Sequence, residues 1–220
     1  GKTAFSDCTA LSYVSFGANL NEIGDNAFSG CYSLKKAELK KGVTYIGKGA
    51  FKGCSSLSFA AIPDGVAFIG EKAFFGCSAL EKVTLPESVT ELHTSTFENC
   101  SSLSKVELRG VKTIGDRAFY NCAALSEISF SLSLKEIGAF AFSVNTSLEK
   151  VTLPPNTELV SDEAFSRCTS LKTVTVFSEA LKMSATALDG CTSLYAIYGS
   201  SAFSSEAASG IRNATVSFDC

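Results

Sequence analysis

One short text recurs along the chain and constrains its fold more than any other feature. The octapeptide AFSGCYSL returns with small changes, and its copies begin at Ala27, Ala50, Ala73, Ala118 and Ala164. A column of cysteines keeps the same period of 23 residues with one step of 22: Cys8, Cys31, Cys54, Cys77, Cys100, Cys122, Cys168 and Cys191. Such a period is typical of a solenoid, whose coils bury their apolar side chains only against their neighbours. The sequence therefore predicts one solenoid of about nine 23-residue units over residues 1–199.

Within each unit, the apolar residues predict one strand. In the second copy, Leu34, Ala37 and Leu39 end in the alternation of a strand. All four prolines of the chain come just after this strand, where the missing N–H ends a ladder. Successive strands are expected to pair in parallel with right-handed connections. Their predicted starts lie near the equivalent leucines: Leu11, Leu34, Leu57, Leu80, Leu103, Leu125, Leu148, Leu171 and Leu194.

The opposite side of each unit is predicted to hold a single helical turn. Asp25, Asp116 and Asp162 precede the Ala-Phe pair, where an aspartate caps a helix. The residue before the cysteine is Gly, Asn or Asp in seven copies, which favours a left-handed exit. Val144 and Arg167 break this rule, so we expect their two turns to differ. A positive φ is expected at the glycines that follow the isoleucine: Gly24, Gly47, Gly70, Gly115 and Gly138.

The cysteine column raises the question of a metal site or disulfides. Structural zinc needs converging C-x-x-C pairs, whereas one cysteine per coil forms a line. Neighbouring coils would bring Cα atoms within disulfide range, but each cysteine stands in an apolar position between Phe and Leu. We therefore predict buried, unpaired thiols and no cofactor. Asn145 replaces one cysteine of the column, and it is expected either to hydrogen-bond inside the core or to mark a local departure from the repeat. The prediction applies most directly to four residues: Cys31, Cys54, Cys77 and Cys100.

The two ends of the chain differ from the repeats. Residues 200–220 are predicted to form a C-terminal cap, with SSEAASG as a short helix and ATVSF as a last strand. The chain opens in the middle of a unit without a matching cap, which suggests truncation at the N-terminus.

The repeated pattern A-F-x-G-C-x-x-L-x-x-V-x-L-P-x-x-V-x-x-I-G runs from Ala4 to about Gly199 and resembles the BspA-like leucine-rich repeats. This resemblance implies an α/β-type repeat solenoid, a curved right-handed coil with a parallel sheet on its concave face and short helical turns opposite. It also implies a cell-surface or extracellular location and a role in adhesion or in binding host proteins. The asparagine ladder of many other leucine-rich repeats is missing, since its position holds Gly42, Gly65 and Ser88.

The outward face of the sheet is the candidate binding surface. Its three residue columns hold six basic and three acidic side chains, although the whole chain carries a net charge of −3. Solenoids bind through such extended faces. Lysine and threonine are also ordinary on exposed strands, so these residues are equally consistent with a face that binds no ligand. The candidate ligand-binding residues are Tyr13, Lys36, Phe59, Lys82, Thr84, Lys105, Glu107 and Lys150.

These observations favour a non-enzymatic module that binds a protein or glycan, host molecules included; the alternative is a structural spacer without a ligand. An enzyme is disfavoured, because the lone histidine, His93, occupies a bend and no partner stands at repeat spacing. The small negative charge argues against nucleic acid as a partner. No apolar run approaches the roughly 20 residues of a membrane span. A monomer is expected.

Overall fold

The computed structural model describes residues 1–199 and the backbone of residues 215–217. Each coil contains a first strand of two to four residues, the longer strand in every coil but the third, then a two-residue strand and a tight turn segment, in that order. This unit repeats through about eight full turns from the first longer strand to the ninth. The chain is therefore a parallel β-solenoid. The predicted cap lies outside the described residues, except that its last strand contains Thr215–Ser217.

Two faces of the solenoid carry strands. The long-strand face consists of Tyr13–Ser15 (β1), Lys36–Glu38 (β3), Phe59–Ala60 (β5), Lys82–Leu85 (β7), Lys105–Leu108 (β9), Glu127–Ser129 (β11), Lys150–Leu153 (β13), Thr173–Val176 (β15), Ala196–Gly199 (β17) and Thr215–Ser217 (β18). The short-strand face consists of Glu22–Ile23 (β2), Tyr45–Ile46 (β4), Phe68–Ile69 (β6), Glu91–Leu92 (β8), Thr113–Ile114 (β10), Glu136–Ile137 (β12), Leu159–Val160 (β14) and Lys182–Met183 (β16).

The strands on both faces pair in parallel, with each residue opposite its equivalent in the next coil, as Lys82 is opposite Lys105. On the long-strand face the ladder runs in three blocks: β1-β3-β5, β7-β9-β11 and β13-β15-β17-β18. The short-strand face has two blocks, β2-β4-β6 and β8-β10-β12-β14-β16. The nine predicted strands and their parallel order are confirmed, whereas the second ladder was not predicted. Both ladders are interrupted between the third and fourth coils.

A column of phenylalanine rings forms the axis of the core. From Phe28 to Phe165 the buried rings lie face to face, with centroids 5.1–5.4 Å apart and planes within 13° of parallel. Leu34, Val83 and Ile114 belong to columns that enclose it and are fully buried. Because each ring covers the face of the next, no coil buries its own phenylalanine alone.

The predicted helical turns are wrong: no helix occurs among residues 1–199, and hence none that is long and apolar enough to cross a membrane. In the second coil, the N–H groups alternate between two kinds of acceptor. Those of Ala27 and Ser29 reach back three residues, whereas those of Asn26 and Phe28 donate to carbonyls of the next coil at 2.8 Å. A left-handed residue at Asn26 and another at Gly30 reverse the backbone every four residues. A helix needs the same right-handed backbone conformation at every residue and an unbroken series of local hydrogen bonds. This segment has neither, so it is a succession of tight turns.

The left-handed exit before the cysteine is confirmed, but the expected exceptions are not. Val144 and Arg167 have φ values of 64° and 56°, which match the 56° of Asn121. The N–H of Val144 donates to the carbonyl of Ser166 at 2.8 Å, as the N–H of Gly30 does to its equivalent. The bond between coils therefore holds even a β-branched residue in a conformation that costs about 1–2 kcal/mol.

The glycines after the isoleucine have a different role from the predicted one. None of the five has a positive φ. A Cβ on Gly47 would lie 2.6 Å from the backbone nitrogen of Asp25, and one on Gly70 would lie 2.6 Å from that of Lys48. The coils thus approach too closely here for a side chain. The predicted aspartate cap is also wrong, because Asp25 Oδ1 accepts the Lys48 N–H of the next coil at 3.0 Å.

The cysteine column forms a ladder of weak hydrogen bonds. Seven thiols donate to the carbonyl of the phenylalanine 25 or 26 residues earlier, at 3.0–3.2 Å, as Cys77 does to Phe51. Asn145 is fully buried and takes the same place. Its Nδ2 donates to the Phe119 carbonyl at 3.2 Å, and its Oδ1 accepts the Cys122 N–H at 2.8 Å. The need of this asparagine for internal partners is therefore confirmed.

The four predicted core thiols are buried and free. Burial raises the pKa of Cys54 to about 12, so almost no thiolate forms at neutral pH. We expect Cys31, Cys54, Cys77 and Cys100 to react with a disulfide reagent only after unfolding. Comparing the thiol titration of native and guanidinium-unfolded protein measures this, with the exposed Cys8 as the fast internal control. Protein that already contains these four cysteines oxidised when isolated without reductant would contradict the expectation.

Candidate functional site

The structure places the predicted binding residues on the long-strand face with their side chains exposed or half-exposed. Register puts Tyr13 opposite Lys36 and Lys36 opposite Phe59 in the first block. In the second block Thr84 is opposite Glu107, beside the pair of Lys82 and Lys105. Lys150 lies in the third block, beyond the interruption between β11 and β13. The eight residues therefore divide among three blocks.

A shallow depression of about 230 Å³ opens where the ladder is interrupted between β5 and β7. Phe59 borders it and is 52% exposed, which is unusual for a phenylalanine on a strand. Its lining also contains Asp64, Lys82, Thr84 and Arg109. Of the predicted residues, the structure thus brings Phe59, Lys82 and Thr84 together at one concave point. Arg109 and Asp64 complete the site and were not among the predicted residues.

The positive charge of this face is held in ion pairs. Glu107 lies 3.3 Å from Lys82 and 3.4 Å from Arg109, measured between nitrogen and oxygen atoms. The hydrogen bond from Lys82 is the main cause of the lowered pKa of Glu107. In the next coil, Lys105 pairs with Glu127 at 2.9 Å, and this bond raises the pKa of Lys105. Exposed pairs of this kind contribute little to stability, so an acidic ligand group can replace the internal partner at small cost.

Tyr13 and Lys36 form a second part of the same face. Lys36 pairs with Glu38 at 2.6 Å, and Lys40 approaches the same carboxylate at 3.6 Å. Within the described residues, Lys150 has no ion pair. Neither Tyr13 nor Lys150 lines the depression at Phe59. The lysines of this face are therefore separate from one another and mostly paired with carboxylates.

A second surface feature, on the short-strand face, was missed by the sequence analysis. The Tyr45 and Phe68 rings stack there with centroids 4.8 Å apart, and the His93 ring lies 4.9 Å from Phe68. The signal was present, because both aromatic residues precede the inward isoleucine of their copy by one position. The pattern of this part of the repeat predicts a bend, whereas the structure has a short strand there.

His93, the one histidine of the sequence, directly follows the short strand Glu91–Leu92. His93 is half-buried rather than the solvated bend residue expected, and its Nδ1 lies 3.3 Å from Glu91. No group of three or more His, Cys, Asp or Glu side chains in residues 1–199 can hold a metal ion. What the geometry provides is a rigid surface with shallow depressions, which suits binding.

Comparison with known proteins agrees with this architecture. A leucine-rich repeat protein from Bacteroides ovatus is 33% identical with a TM-score of 0.83, over 90% of this chain and 52% of that one. A leucine rich cell surface protein from Faecalibacterium prausnitzii is 27% identical with a TM-score of 0.59, over 99% and 65%. The pneumococcal vaccine antigen PcpA is 25% identical with a TM-score of 0.62, over 93% and 55%. The chain thus spans about half to two thirds of the length of these structures.

No curated protein is significantly similar to the chain. The family model for the BspA type leucine rich repeat region matches residues 1–104 and 68–195, in six copies. Relatives of bacterial surface type indicate a binding or structural repeat module, and no enzyme family is indicated. The repeats, the parallel solenoid and the family match together place this chain in the BspA-type leucine-rich repeat family.

Proposed function

We propose that this chain is the non-enzymatic, adhesion-type binding module of a cell-surface or secreted protein, and that it binds its ligand through the long-strand face. The observation that carries the proposal is the depression beside Phe59. A phenylalanine that is 52% exposed there meets Lys82, Thr84 and Arg109 around about 230 Å³ of open space. Aromatic and arginine side chains in pockets are the commonest centres of binding energy.

The charges of the long-strand face favour an acidic ligand, either a protein segment or an acidic glycan. At the depression itself Lys82 and Arg109 share the carboxylate of Glu107, and Asp64 balances the remaining charge. The positive excess belongs to the face as a whole, whose three outward columns hold six basic and three acidic side chains. Charges of this kind act mainly on the rate of association and on orientation, whereas the Phe59 ring supplies contact area. One relative is described as a cell surface protein and another as a vaccine antigen, which supports exposure of this face to host or neighbouring molecules.

The test begins by capturing a ligand on the immobilised protein and measuring its affinity for defined variants. We expect Phe59→Ala to weaken binding about tenfold, because it removes the aromatic contact. The control is Phe177→Ala, the same substitution at a residue of the same face that is 50% exposed. The double variant Lys82→Glu/Lys105→Glu is expected to slow association and to flatten its dependence on salt.

The proposal fails if neither variant weakens binding while Lys52→Glu, on the turn side of the coil, does. If the affinity did not depend on salt concentration, the electrostatic part of the proposal would be wrong and only the aromatic contact would stand. A structural spacer, the alternative function, would yield no captured ligand whose affinity depends on the long-strand face.

A further inference from the structure

The short-strand face contains a groove that the proposed function does not use. It is about 360 Å³ in volume and runs along the first four coils. The aromatic residues Tyr45, Phe68 and His93 and the polar residues Asp25, Lys48 and Glu71 all line it. Tyr45 and Phe68 form an aromatic side and stand three positions before Lys48 and Glu71 of the polar side, while His93 occupies the glycine position between the two columns. We call this feature the short-strand groove. It lies on a different face from Phe59, so it is independent of the site proposed above.

The aromatic side of the groove is an exception within its own column. The outward residues of the short strands are Glu22, Tyr45, Phe68, Glu91, Thr113, Glu136, Leu159 and Lys182, so aromatic residues occur only in two adjacent copies. The two rings stack on each other at 4.8 Å, which leaves their edges toward the groove, and Phe68 remains 37% exposed. The repeat itself does not require these rings, because the other copies form the same strand without them.

The polar side presents paired charges of both signs. Lys48 Nζ lies 2.8 Å from Glu71, which also lies 3.0 Å from Lys72. These two lysines lower the pKa of Glu71, so this carboxylate is ionised and accepts hydrogen bonds at neutral pH. A carboxylate only accepts hydrogen bonds, and the neighbouring ammonium only donates them. A hydroxyl group does both, so it can bond to the two groups together. The near balance of charge gives no strong attraction for an anionic or cationic ligand.

The backbone in the groove is already engaged. The N–H groups of Gly47 and Gly70 donate to carbonyls of the preceding coil at 2.8 Å, and that of Lys48 donates to Asp25. A peptide strand would therefore find no free ladder to extend along this surface. Recognition here depends on side chains: ring edges for an apolar surface and charged groups for hydroxyls.

We propose that the short-strand groove binds a linear neutral glycan, with successive sugar rings lying along successive coils. A sugar ring combines an apolar C–H surface with several hydroxyl groups, which matches the two sides of the groove. The length of one sugar ring along the glycan is close to the rise of one coil, which the Tyr45 and Phe68 ring centroids show as 4.8 Å. A site with apolar lining and a few placed polar groups is the usual composition of a ligand pocket.

The test titrates the whole chain with cellohexaose, maltohexaose and mannohexaose in turn, and follows the His93 imidazole by NMR. This histidine is the only one in the sequence, so its signals report on the groove without overlap. We expect at least one of these sugars to shift the His93 signals in a saturable way. Calorimetry should then show that Phe68→Ala weakens that sugar about tenfold.

The controls separate this site from the rest of the surface. Leu159→Ala removes an apolar residue of the same column that is 39% exposed, and it should leave sugar affinity unchanged. Phe59→Ala should also leave it unchanged, so failure of one proposed site is distinguishable from failure of the other. If none of the three sugars shifts the His93 signals, the proposal is overturned. It is equally overturned if Phe68→Ala binds like the unaltered chain, or if extended hexapeptides shift His93 and the sugars do not.

Discussion

Phe74→Ala is expected to lower the free energy of unfolding by about 3–5 kcal/mol. The Phe74 ring is fully buried between the rings of Phe51 and Phe97, with centroids 5.4 Å and 5.2 Å away. Truncation leaves a cavity in the phenylalanine column. The two flanking coils cannot close it, because hydrogen bonds between the turn segments fix their spacing: the Phe51 N–H donates to the Ala73 carbonyl at 2.8 Å and the Phe74 N–H to the Thr96 carbonyl at 2.9 Å. Equilibrium denaturation in guanidinium measures the loss.

Phe75→Ala, at the adjacent residue, is the matched control. Phe75 is half-buried in the turn segment, with the Lys52 ammonium 6.0 Å from its ring centroid. The same substitution should cost only about 1 kcal/mol there. Equal losses at the two positions would contradict the description of the phenylalanine column as the axis of the core.

Asn145→Leu is expected to destabilise the chain by about 1–3 kcal/mol, although it fills a similar volume with an apolar side chain. The Asn145 amide connects the Phe119 carbonyl to the Cys122 N–H, at 3.2 Å and 2.8 Å. Leucine can neither donate to this carbonyl nor accept from this N–H. The N–H can still bond within its own turn, so the expected loss is that of one polar contact in a dry interior.

Asn145→Cys restores the residue found in the other copies, and we expect it to cost no more than about 1 kcal/mol. A thiol at this position can donate to the Phe119 carbonyl, as Cys168 does to Phe142 at 3.2 Å. The Cys122 N–H can then bond within its own turn, as the Cys100 N–H does to the Phe97 carbonyl at 3.3 Å. A leucine tolerated as well as the cysteine would show that the bridge contributes little.

The repeat period predicted the features that depend on one coil resting on the next. The strands near Leu34 and Leu80, the buried Phe28 column and the free thiol of Cys54 follow because side chains at equal positions must stack. These features are insensitive to the local backbone conformation.

The turn segment was predicted wrongly because its N–H groups have two competing acceptors. Capping residues such as Asp25 are typical of helices, but here the acceptors one coil away capture every second N–H of residues 26–30. Gly47 similarly suggests a positive φ when viewed alone, whereas the structure shows that a close approach between coils excludes its side chain. Contacts between coils outweigh local propensity in both cases.

The candidate site was predicted only in part. The outward column identified Phe59, Lys82 and Thr84, since alternation along a strand fixes which side chains point outward. It did not predict the interruption between β5 and β7, which creates the depression, nor the sharing of Glu107 between Lys82 and Arg109. Those features depend on how the strands of three coils are aligned with one another. The spacing of residues within one copy does not specify that alignment.

The measurement that tests the proposed function most directly is amide hydrogen exchange of the whole chain with and without its captured ligand. Protection is expected to increase most in residues 59–64 and 82–86, around the depression, with smaller changes near Arg109. Protection confined to the turn segments, or no change anywhere on the long-strand face, would contradict binding through that face.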